Sequence, residues 1–329
     1  MTLLLTRADV EKVLTMREAI DAVEEGFRQL ALGGVTMPQR TAIRIPEHRG
    51  LHLAMPAHIG GGGAGGALAT KIVTVYPDNP TRFNLPTTIG TLLLNDPRSG
   101  ALLAIMDAGF LTAMRTGAVS GVASKVLARE DASSVGIFGA GVMARTQLRA
   151  VCEVRKILRA TVHDPNIEAA ARYSNEMSAA LGIPVESVGD PRAVLDADIV
   201  CAASSSKTPI FEGSWLKPGT HINGVGAHSP DAREIDAEAI RRSKVVTDYL
   251  PACLAEAGDL ILAIREGAFS EEQVHADLGE ILAGRKAGRQ SAEEITLFKS
   301  VGLAVQDAAT AARVLDLARA AGVGSEIRI

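Results

Sequence analysis

Hydrophobic residues follow two different periods along the chain, and the change falls near Ser133. Before it, strand-like apolar runs cover residues 39–45, 68–76, 87–94 and 101–106. Helical spacing begins at a capping box formed by Thr15 and Glu18 and stops at Gly33 and Gly34. A second helix is expected over residues 109–127. This mixture of elements predicts an α+β domain.

After Ser133, short apolar strands alternate with helices. The predicted strands cover residues 134–138, 160–163, 199–203, 221–225 and 245–248, and helices begin at Val142 and Ile167. Such alternation is typical of α/β proteins with a parallel, doubly wound sheet, the Rossmann fold.

The last predicted element is one alanine-rich helix over residues 296–321, which we expect to return to the first domain. The sequence therefore predicts one domain from residues 1–125 with 300–329 and a Rossmann domain from residues 126–299. The glycine-rich run Gly60–Gly66 has strands on both sides, so it indicates a flexible hairpin loop and not a phosphate cradle.

Composition and charge narrow the classes of function. The chain has 329 residues, of which 47% are hydrophobic, 22% charged and only 3% aromatic, and its net charge is −4. These values are ordinary for a globular protein, and the absence of a basic block argues against nucleic acid or an anionic membrane as partner.

The cysteines and the amino terminus bear on the compartment. Cys152, Cys201 and Cys253 form no C-x-x-C pair, so neither a disulfide framework nor a metal site is expected. Charged residues interrupt the first apolar run before a signal-peptide core could form, and no apolar run has the roughly 20 residues of a membrane span. We therefore expect a cytoplasmic protein.

The strongest local motif is a dinucleotide fingerprint at the end of the strand 134–138. Gly139 would allow the tight turn, Gly141 the close approach of a pyrophosphate, and Ala144 the packing of the following helix. Val142 and Met143 begin that helix, whose amino terminus favours negative charge.

An acid at the end of the next strand would complete the fingerprint. Asp164 stands 25 residues after Gly139 (164 − 139) and is expected to bind the ribose hydroxyls of NAD. Pro165 and Asn166 follow it, with no arginine for a 2′-phosphate, so NADP is less favoured. The alternatives are turn glycines without a cofactor and a solvated strand end.

Three cations in the first domain suggest a binding site for a substrate carboxylate. Lys71 lies by period two on an otherwise apolar strand face, where burial would lower its pKa and make it a proton donor. Arg115 stands among small and apolar helix residues, and Arg40 lies on the predicted strand 39–45, on the face opposite Thr41, Ile43 and Ile45. None has an evident carboxylate neighbour in the sequence. The alternative is surface charge, with Lys71 protecting an edge strand and Arg115 on a solvated helix face.

Together these motifs resemble the ornithine cyclodeaminase/μ-crystallin family, which includes alanine dehydrogenases and ketimine reductases. The resemblance covers nearly the whole chain, in the family's order. The matching segments are Met55-Pro-Ala57, Lys71 in its strand, Arg115-Thr-Gly-Ala118, Gly139-Ala-Gly-Val-Met143, Arg233-Glu-Ile-Asp236, Gly288-Arg289, Phe298-Lys-Ser-Val-Gly302 and Gln306-Asp307.

The resemblance implies a homodimer built through the first domain's sheet, with the substrate held by Arg40, Lys71 and Arg115. It also implies that Ser204, Val225 and Gly226 line the cofactor and that Ser300 to Gly302 approach the nicotinamide. These roles are expectations carried by the family pattern.

One departure from the family pattern concerns the reaction. Cyclodeaminases resemble G-G-D-x-P-G-K-T-E-L after the fifth Rossmann strand, whereas this chain has His228 at the Asp position and Asp231-Ala232-Arg233 in place of Gly-Lys-Thr. The difference favours plain C=N reduction or amino-acid oxidation. His228 is a candidate proton shuttle, and the alternative is a loop histidine that contacts only cofactor or solvent.

The resulting hypothesis is an NAD-dependent oxidoreductase that transfers hydride to or from the α-carbon of a small amino or imino acid, with Lys71 or His228 handling the proton. The alternatives are an ornithine cyclodeaminase and a non-catalytic protein that binds the cofactor or ligand.

Overall fold

The computed structural model describes residues 1–60 and 66–329, and the chain divides into two compact units. The first unit comprises Met1–Arg115 and Leu303–Ile329, and the second comprises Thr116–Gly302. The predicted hairpin loop over Gly60–Gly66 lies outside the described residues except at its two ends.

The first unit is α+β. Its strands are β1 (Thr2–Leu5), β2 (Val35–Thr36), β3 (Thr41–Ile45), β4 (Gly50–Ile59), β5 (Ala67–Val75), β6 (Thr88–Asn95), β7 (Leu102–Asp107) and β16 (Ser325–Ile327). Its helices are α1 (Arg7–Val13), α2 (Met16–Ala31), α3 (Asn79–Arg82), the first part of α4 (Ala108–Leu127) and α11 (Ala304–Ala321). The strands form one sheet of order β16-β1-β7-β6-β5-β4-β2, with β3 beside β4. Every pair is antiparallel except β1 with β7.

The two faces of this sheet differ. Helix α11 packs on β4, β5 and β6 and also contacts α2. Along β5, Ala69, Lys71 and Val73 are buried, whereas Ile72 between them is exposed. The period of two in the sequence therefore decides which side chains lie beneath α11.

Helix α2 shows how local signals and packing combine. Thr15 caps it by accepting a hydrogen bond from the backbone N–H of Glu18, as the capping motif predicts. The Glu18 carboxylate instead pairs with Arg313 of α11 at 2.6 Å. Gly33 follows the helix with φ of +80°, a conformation that glycine adopts without steric cost.

The second unit is a Rossmann fold. Its strands are β8 (Ser134–Phe138), β9 (Arg159–His163), β10 (Val185–Ser187), β11 (Ile199–Ala202), β12 (His221–Gly224), β13 (Ser243–Thr247), β14 (Ala276–Asp277) and β15 (Ile295–Lys299). Besides the end of α4, its helices are α5 (Val142–Val154), α6 (Ile167–Leu181), α7 (Ala237–Arg242), α8 (Leu250–Glu256), α9 (Gly258–Arg265) and α10 (Leu278–Leu282). All strand pairs are parallel, in the order β10-β9-β8-β11-β12-β15-β13-β14. The carboxyl ends of the strands therefore meet at one edge, where this fold binds ligands.

One predicted element is wrong. The helix expected over residues 296–321 begins only at Ala304, because Ile295–Lys299 is strand β15, placed between β12 and β13. Its five residues are all buried, including Thr296 and Lys299, so no alternation marks the strand. Strand β4 and helix α1 were not predicted, and the histidines and Pro56 of β4 obscure its alternation.

No helix of the described residues is both long enough and apolar enough to cross a bilayer. The cysteines Cys152, Cys201 and Cys253 carry free thiols.

Candidate active site

The glycine motif forms the turn between β8 and α5. Gly139 has φ of +95°, and a Cβ there would lie 2.7 Å from the carbonyl oxygen of Ala203, so only glycine fits. At Gly141, in contrast, an added Cβ would meet no atom of the described residues within 4 Å. The backbone of Gly141 thus faces open space of the kind a pyrophosphate needs.

Helix α5 begins at Val142, and its amino terminus has no side-chain cap among the described residues. Val142 is exposed and Met143 is half-buried, whereas Ala144 is fully buried against the sheet. Uncapped N–H groups and the helix dipole favour an anion at this position. These residues therefore fit the phosphates of a dinucleotide.

Asp164 lies directly beside the glycine turn. One of its oxygens accepts a hydrogen bond from the N–H of Ala140 at 2.9 Å, and the other accepts one from Asn166 at 2.8 Å. Each carboxylate oxygen has a second lone pair, so Asp164 retains acceptor capacity for a ribose hydroxyl. The arrangement fits an adenosine ribose beside the turn.

Further along the same edge, the loops after β11 and β12 are tied to buried charges. Glu234 accepts a hydrogen bond from the N–H of Ser204 at 2.6 Å, and a Cβ on Gly226 would collide with its other oxygen. Burial raises the pKa of Glu234. Lys299 donates to the carbonyl of Ala227 at 2.6 Å. Glu234 therefore holds the loop after β11, and Lys299 holds the loop after β12.

Asp259 completes this buried cluster by pairing with Lys299 at 2.5 Å and accepting the N–H groups of Glu234 and Ile235. Burial alone would lower the pKa of Lys299, but Asp259 holds it above its usual value. The lysine is therefore charged at neutral pH.

Val225 and His228 lie in the loop after β12. Val225 continues the ladder by donating to Ala202, whereas His228 is exposed and its Nδ1 lies 2.9 Å from the carbonyl oxygen of Gly226. Ser300 and Gly302 follow β15 at the same edge, where Ser300 is buried and Gly302 has φ of +82°. The second unit thus brings all the predicted cofactor residues to the carboxyl edge of its sheet.

In the first unit, Lys71 lies on an interior strand and is only 1% exposed. Its neighbours across the sheet are Met55 and Leu92, both buried. Burial, and then the charge of Arg115, lower the pKa of Lys71 to about 8, with Asp307 acting in the opposite direction. The alternative of a surface charge on an edge strand is wrong for Lys71.

Arg115 is also buried, so the solvated helix face is wrong as well. Its Nε donates to Asp307 Oδ1 at 3.0 Å and its Nη1 to Gln306 Oε1 at 2.8 Å. The ammonium of Lys71 lies 2.7 Å from Asp307 Oδ2. The first unit thus joins the two cations through one buried carboxylate.

This arrangement corrects the expectation that the cations have no carboxylate neighbour. Asp307 stands 192 residues after Arg115 in the chain, so its approach is invisible in the local sequence. The signal for Asp307 in the sequence is an acid near the start of an alanine-rich helix, and the structure buries it there among small side chains. Arg40 is half-buried, and its charge also lowers the pKa of Lys71.

One protein-family model matches nearly the whole chain. The model for the ornithine cyclodeaminase/mu-crystallin family matches residues 1–322. Alanine dehydrogenase of Archaeoglobus fulgidus is 38% identical over 327 residues, which cover 99% of this chain and 98% of that protein.

Two solved structures resemble the chain over its whole length. Δ1-pyrroline-2-carboxylate reductase of Thermococcus litoralis, in complex with NADH and L-proline, is 47% identical with a TM-score of 0.95, covering 99% of this chain and 100% of that one. An archaeal alanine dehydrogenase dimer with bound NAD is 38% identical with a TM-score of 0.93, covering 100% of this chain and 99% of that one.

Proposed function

Because the chain belongs to the ornithine cyclodeaminase/mu-crystallin family, we propose that it is an NAD-dependent reductase of cyclic imino acids, with Δ1-pyrroline-2-carboxylate as the favoured substrate. The observation that carries the proposal is Lys71, a buried ammonium whose pKa of about 8 suits proton donation near neutral pH. The Thermococcus enzyme, at 47% identity, reduces this imino acid and was solved with L-proline.

Binding of the substrate carboxylate falls to the cations of the first unit. The guanidinium of Arg115 has five N–H donors, more than Asp307 and Gln306 take, so it can also bind a carboxylate. Arg40 adds a third positive charge near Lys71. Asp307 keeps these buried cations compensated before the substrate arrives.

Reduction of the C=N bond needs a proton at nitrogen as well as a hydride at carbon. Lys71 is the proposed donor, because its ammonium loses a proton far more readily than an exposed lysine. His228 is the second candidate, since imidazole titrates near neutrality. Asp307 orients the ammonium and stabilises its charged form.

The residues of the second unit fit NAD, which when bound supplies the hydride. Gly139, Gly141 and the start of α5 would hold the pyrophosphate, and Asp164 the ribose hydroxyls. Ser204, Val225, Gly226, Ser300 and Gly302 would line the remainder of the cofactor.

Two alternatives keep the same cofactor. An alanine dehydrogenase is favoured by the 38% identity to the Archaeoglobus protein. An ornithine cyclodeaminase is disfavoured by His228, which stands where that reaction's pattern has an aspartate. The lowered pKa of Lys71 favours catalysis over a protein that only binds ligands, because ligand binding alone needs no proton donor.

The test is a panel of Δ1-pyrroline-2-carboxylate, Δ1-piperideine-2-carboxylate, pyruvate with ammonia, and ornithine, each with NADH or NADPH (NAD for ornithine). Absorbance of the reduced nicotinamide follows the reductions, and proline formation follows the cyclisation. The proposal predicts the highest kcat/KM with a cyclic imine and NADH. A higher value with pyruvate and ammonia would favour the alanine dehydrogenase.

We also propose a cytoplasmic homodimer formed through the exposed face of the first unit's sheet. Strand register places Ile43, Ile72 and Ile89 on the face opposite Lys71, where they are 56%, 37% and 43% exposed. Isoleucines exposed together on a sheet favour burial against a second copy. Light scattering of the wild type and of Ile72→Lys tests this, and a wild-type monomer would contradict it.

A further inference from the structure

Asp248 directly follows β13 and is fully buried at the carboxyl edge of the Rossmann sheet. Its Oδ2 accepts three hydrogen bonds from the segment after β15. The donors are the hydroxyl of Ser300 at 2.7 Å, the N–H of Val301 at 2.8 Å and the N–H of Gly302 at 3.0 Å. One oxygen therefore holds three consecutive residues of another strand's loop.

The other oxygen is occupied as well. Oδ1 accepts the N–H of Tyr249 at 2.8 Å, and the thiol of Cys253 lies 3.2 Å away as a donor. Burial, and next the negative charge of Asp248, raise the pKa of Cys253, so the thiol stays protonated. Donors thus surround both oxygens, and an amide in place of the carboxylate would set its NH₂ group against a donor on one side or the other.

The donors on Oδ2 fix the path of the chain where it leaves β15. The N–H groups of Val301 and Gly302 converge on one atom while Gly302 adopts φ of +82°. Buried N–H groups need an acceptor, so this conformation depends on the carboxylate. The segment is the one expected to approach the nicotinamide.

We infer that Asp248 is a positioning residue that holds Ser300–Gly302 in the conformation that receives the nicotinamide end of the cofactor. This inference rests on the proposed function. Asp248 itself is assigned no contact with cofactor or substrate and acts through the segment that it orders.

The same unit contains a matched carboxylate at the opposite edge of the sheet. Asp198 directly precedes β11, and its Oδ2 accepts the N–H of Ser133 at 2.9 Å, the N–H of Ser134 at 3.0 Å and the hydroxyl of Ser134 at 2.7 Å. Its donors are therefore of the same kind and number as those on Asp248 Oδ2. Asp198 differs in being half-buried and in pairing its Oδ1 with Arg129 at 2.7 Å, but its replacement removes the same three acceptor contacts away from the cofactor edge.

The experiment compares Asp248→Asn with Asp198→Asn in the full chain. Calorimetry gives the Kd of NADH and of ADP-ribose, which lacks the nicotinamide, and turnover at saturating NADH gives kcat. For Asp248→Asn we expect kcat to fall roughly 10- to 100-fold, since small misplacement near the reacting atoms is costly. The ratio of the NADH affinity to the ADP-ribose affinity should decrease. The Kd of ADP-ribose should stay within about twofold of the wild-type value, because weaker ADP-ribose binding would require the phosphate turn to move. Asp198→Asn should leave all three quantities nearly unchanged and lower only Tm.

Asp248→Glu, which keeps the charge but displaces the oxygens, is measured in the same way in case the asparagine variant does not fold. An unchanged kcat and an unchanged NADH to ADP-ribose ratio in a folded variant would overturn the inference. So would an equal loss of affinity for both ligands, or the failure of both Asp248 variants to fold when Asp198→Asn folds. A wild type that binds NADH but reduces no imine would instead contradict the proposed function, and the binding ratio would still test Asp248.

Discussion

Replacing Asp307 with asparagine tests how the first unit sets the proton affinity of Lys71. In the wild type, burial, Arg115 and Arg40 lower the pKa of Lys71, and Asp307 raises it through its charge and its hydrogen bond. An asparagine keeps the shape and can still accept from Arg115 Nε through its oxygen. Its NH₂ group would then face the Lys71 nitrogen, where Oδ2 now lies 2.7 Å away. A neutral amine, but not an ammonium, can accept from that group.

The size of the effect follows from the burial of the pair. Both side chains are 1% exposed, and removing one partner of a buried ion pair typically costs about 3–5 kcal/mol. Deprotonation of Lys71 relieves that cost, and about 1.4 kcal/mol corresponds to one pKa unit. We therefore expect the pKa of Lys71 to fall by roughly two units or more from its wild-type value of about 8. At pH 7 the lysine would change from mostly protonated to mostly neutral.

The assay is kcat/KM against pH, which reports the ionisation of the free enzyme. Imine reduction needs the ammonium, so the wild-type rate should be level below pH 8 and fall above it. Proline oxidation needs the neutral amine, so its rate should rise to a plateau above the same pH. In Asp307→Asn the midpoints of both pH profiles should move to lower pH by at least about two units.

The control is Asp316→Asn, which removes an exposed carboxylate from the same helix α11. In this variant the midpoints of both pH profiles should remain near pH 8. If the midpoints of the Asp307→Asn profiles also stayed near pH 8, the titrating group would not be Lys71. The proton donor would then have to be sought at His228 or elsewhere.

Lys71, Arg115 and Asp164 give three further predictions. Lys71→Ala should lower kcat/KM by about 10²–10⁴, which is the usual effect of removing a general acid. Lys71→Arg should restore KM but not kcat, because guanidinium does not release its proton near neutrality. Steady-state kinetics with the imine check both variants, and the Kd of NADH should be unchanged in each. Arg115→Ala should lower kcat/KM about ten- to a hundredfold through the loss of a charge-assisted bond to the substrate carboxylate, and near-wild-type kinetics would remove Arg115 from the substrate site. Asp164 should favour NADH over NADPH, since a carboxylate repels the 2′-phosphate. Asp164→Ala should therefore reduce the ratio of kcat/KM with NADH to kcat/KM with NADPH. A wild-type enzyme that is faster with NADPH would contradict this role.

The sequence by itself determined the elements whose signals are local. The glycine turn was predictable because Gly139 needs a φ of +95° that only glycine adopts cheaply, while Gly141 leaves the backbone open to a ligand. The alternation of strands and helices after Ser133 predicted the parallel sheet, because parallel strands are joined by crossovers that are usually helices. The period of two around Lys71 predicted its apolar face.

Local patterns were insufficient where a short segment fits more than one environment. The run Ile295–Lys299 shows no period of two and precedes a helix, so the sequence predicts it as part of that helix, and only pairing with β12 and β13 makes it a strand. Strand β4 was missed because its buried positions include Met55 and Ala57, and the half-buried residues between its buried positions include Pro56 and His58.

The charge environment of the site was decided by tertiary structure alone. Lys71, Arg115 and Asp307 are distant in the chain, and their meeting depends on how α11 packs on β5. Sequence identified the two cations but not the carboxylate that joins them, nor the acceptor role of Asp248 beneath Ser300–Gly302. Electrostatic energies depend on distance in space and on burial, and neither is encoded by spacing along the chain.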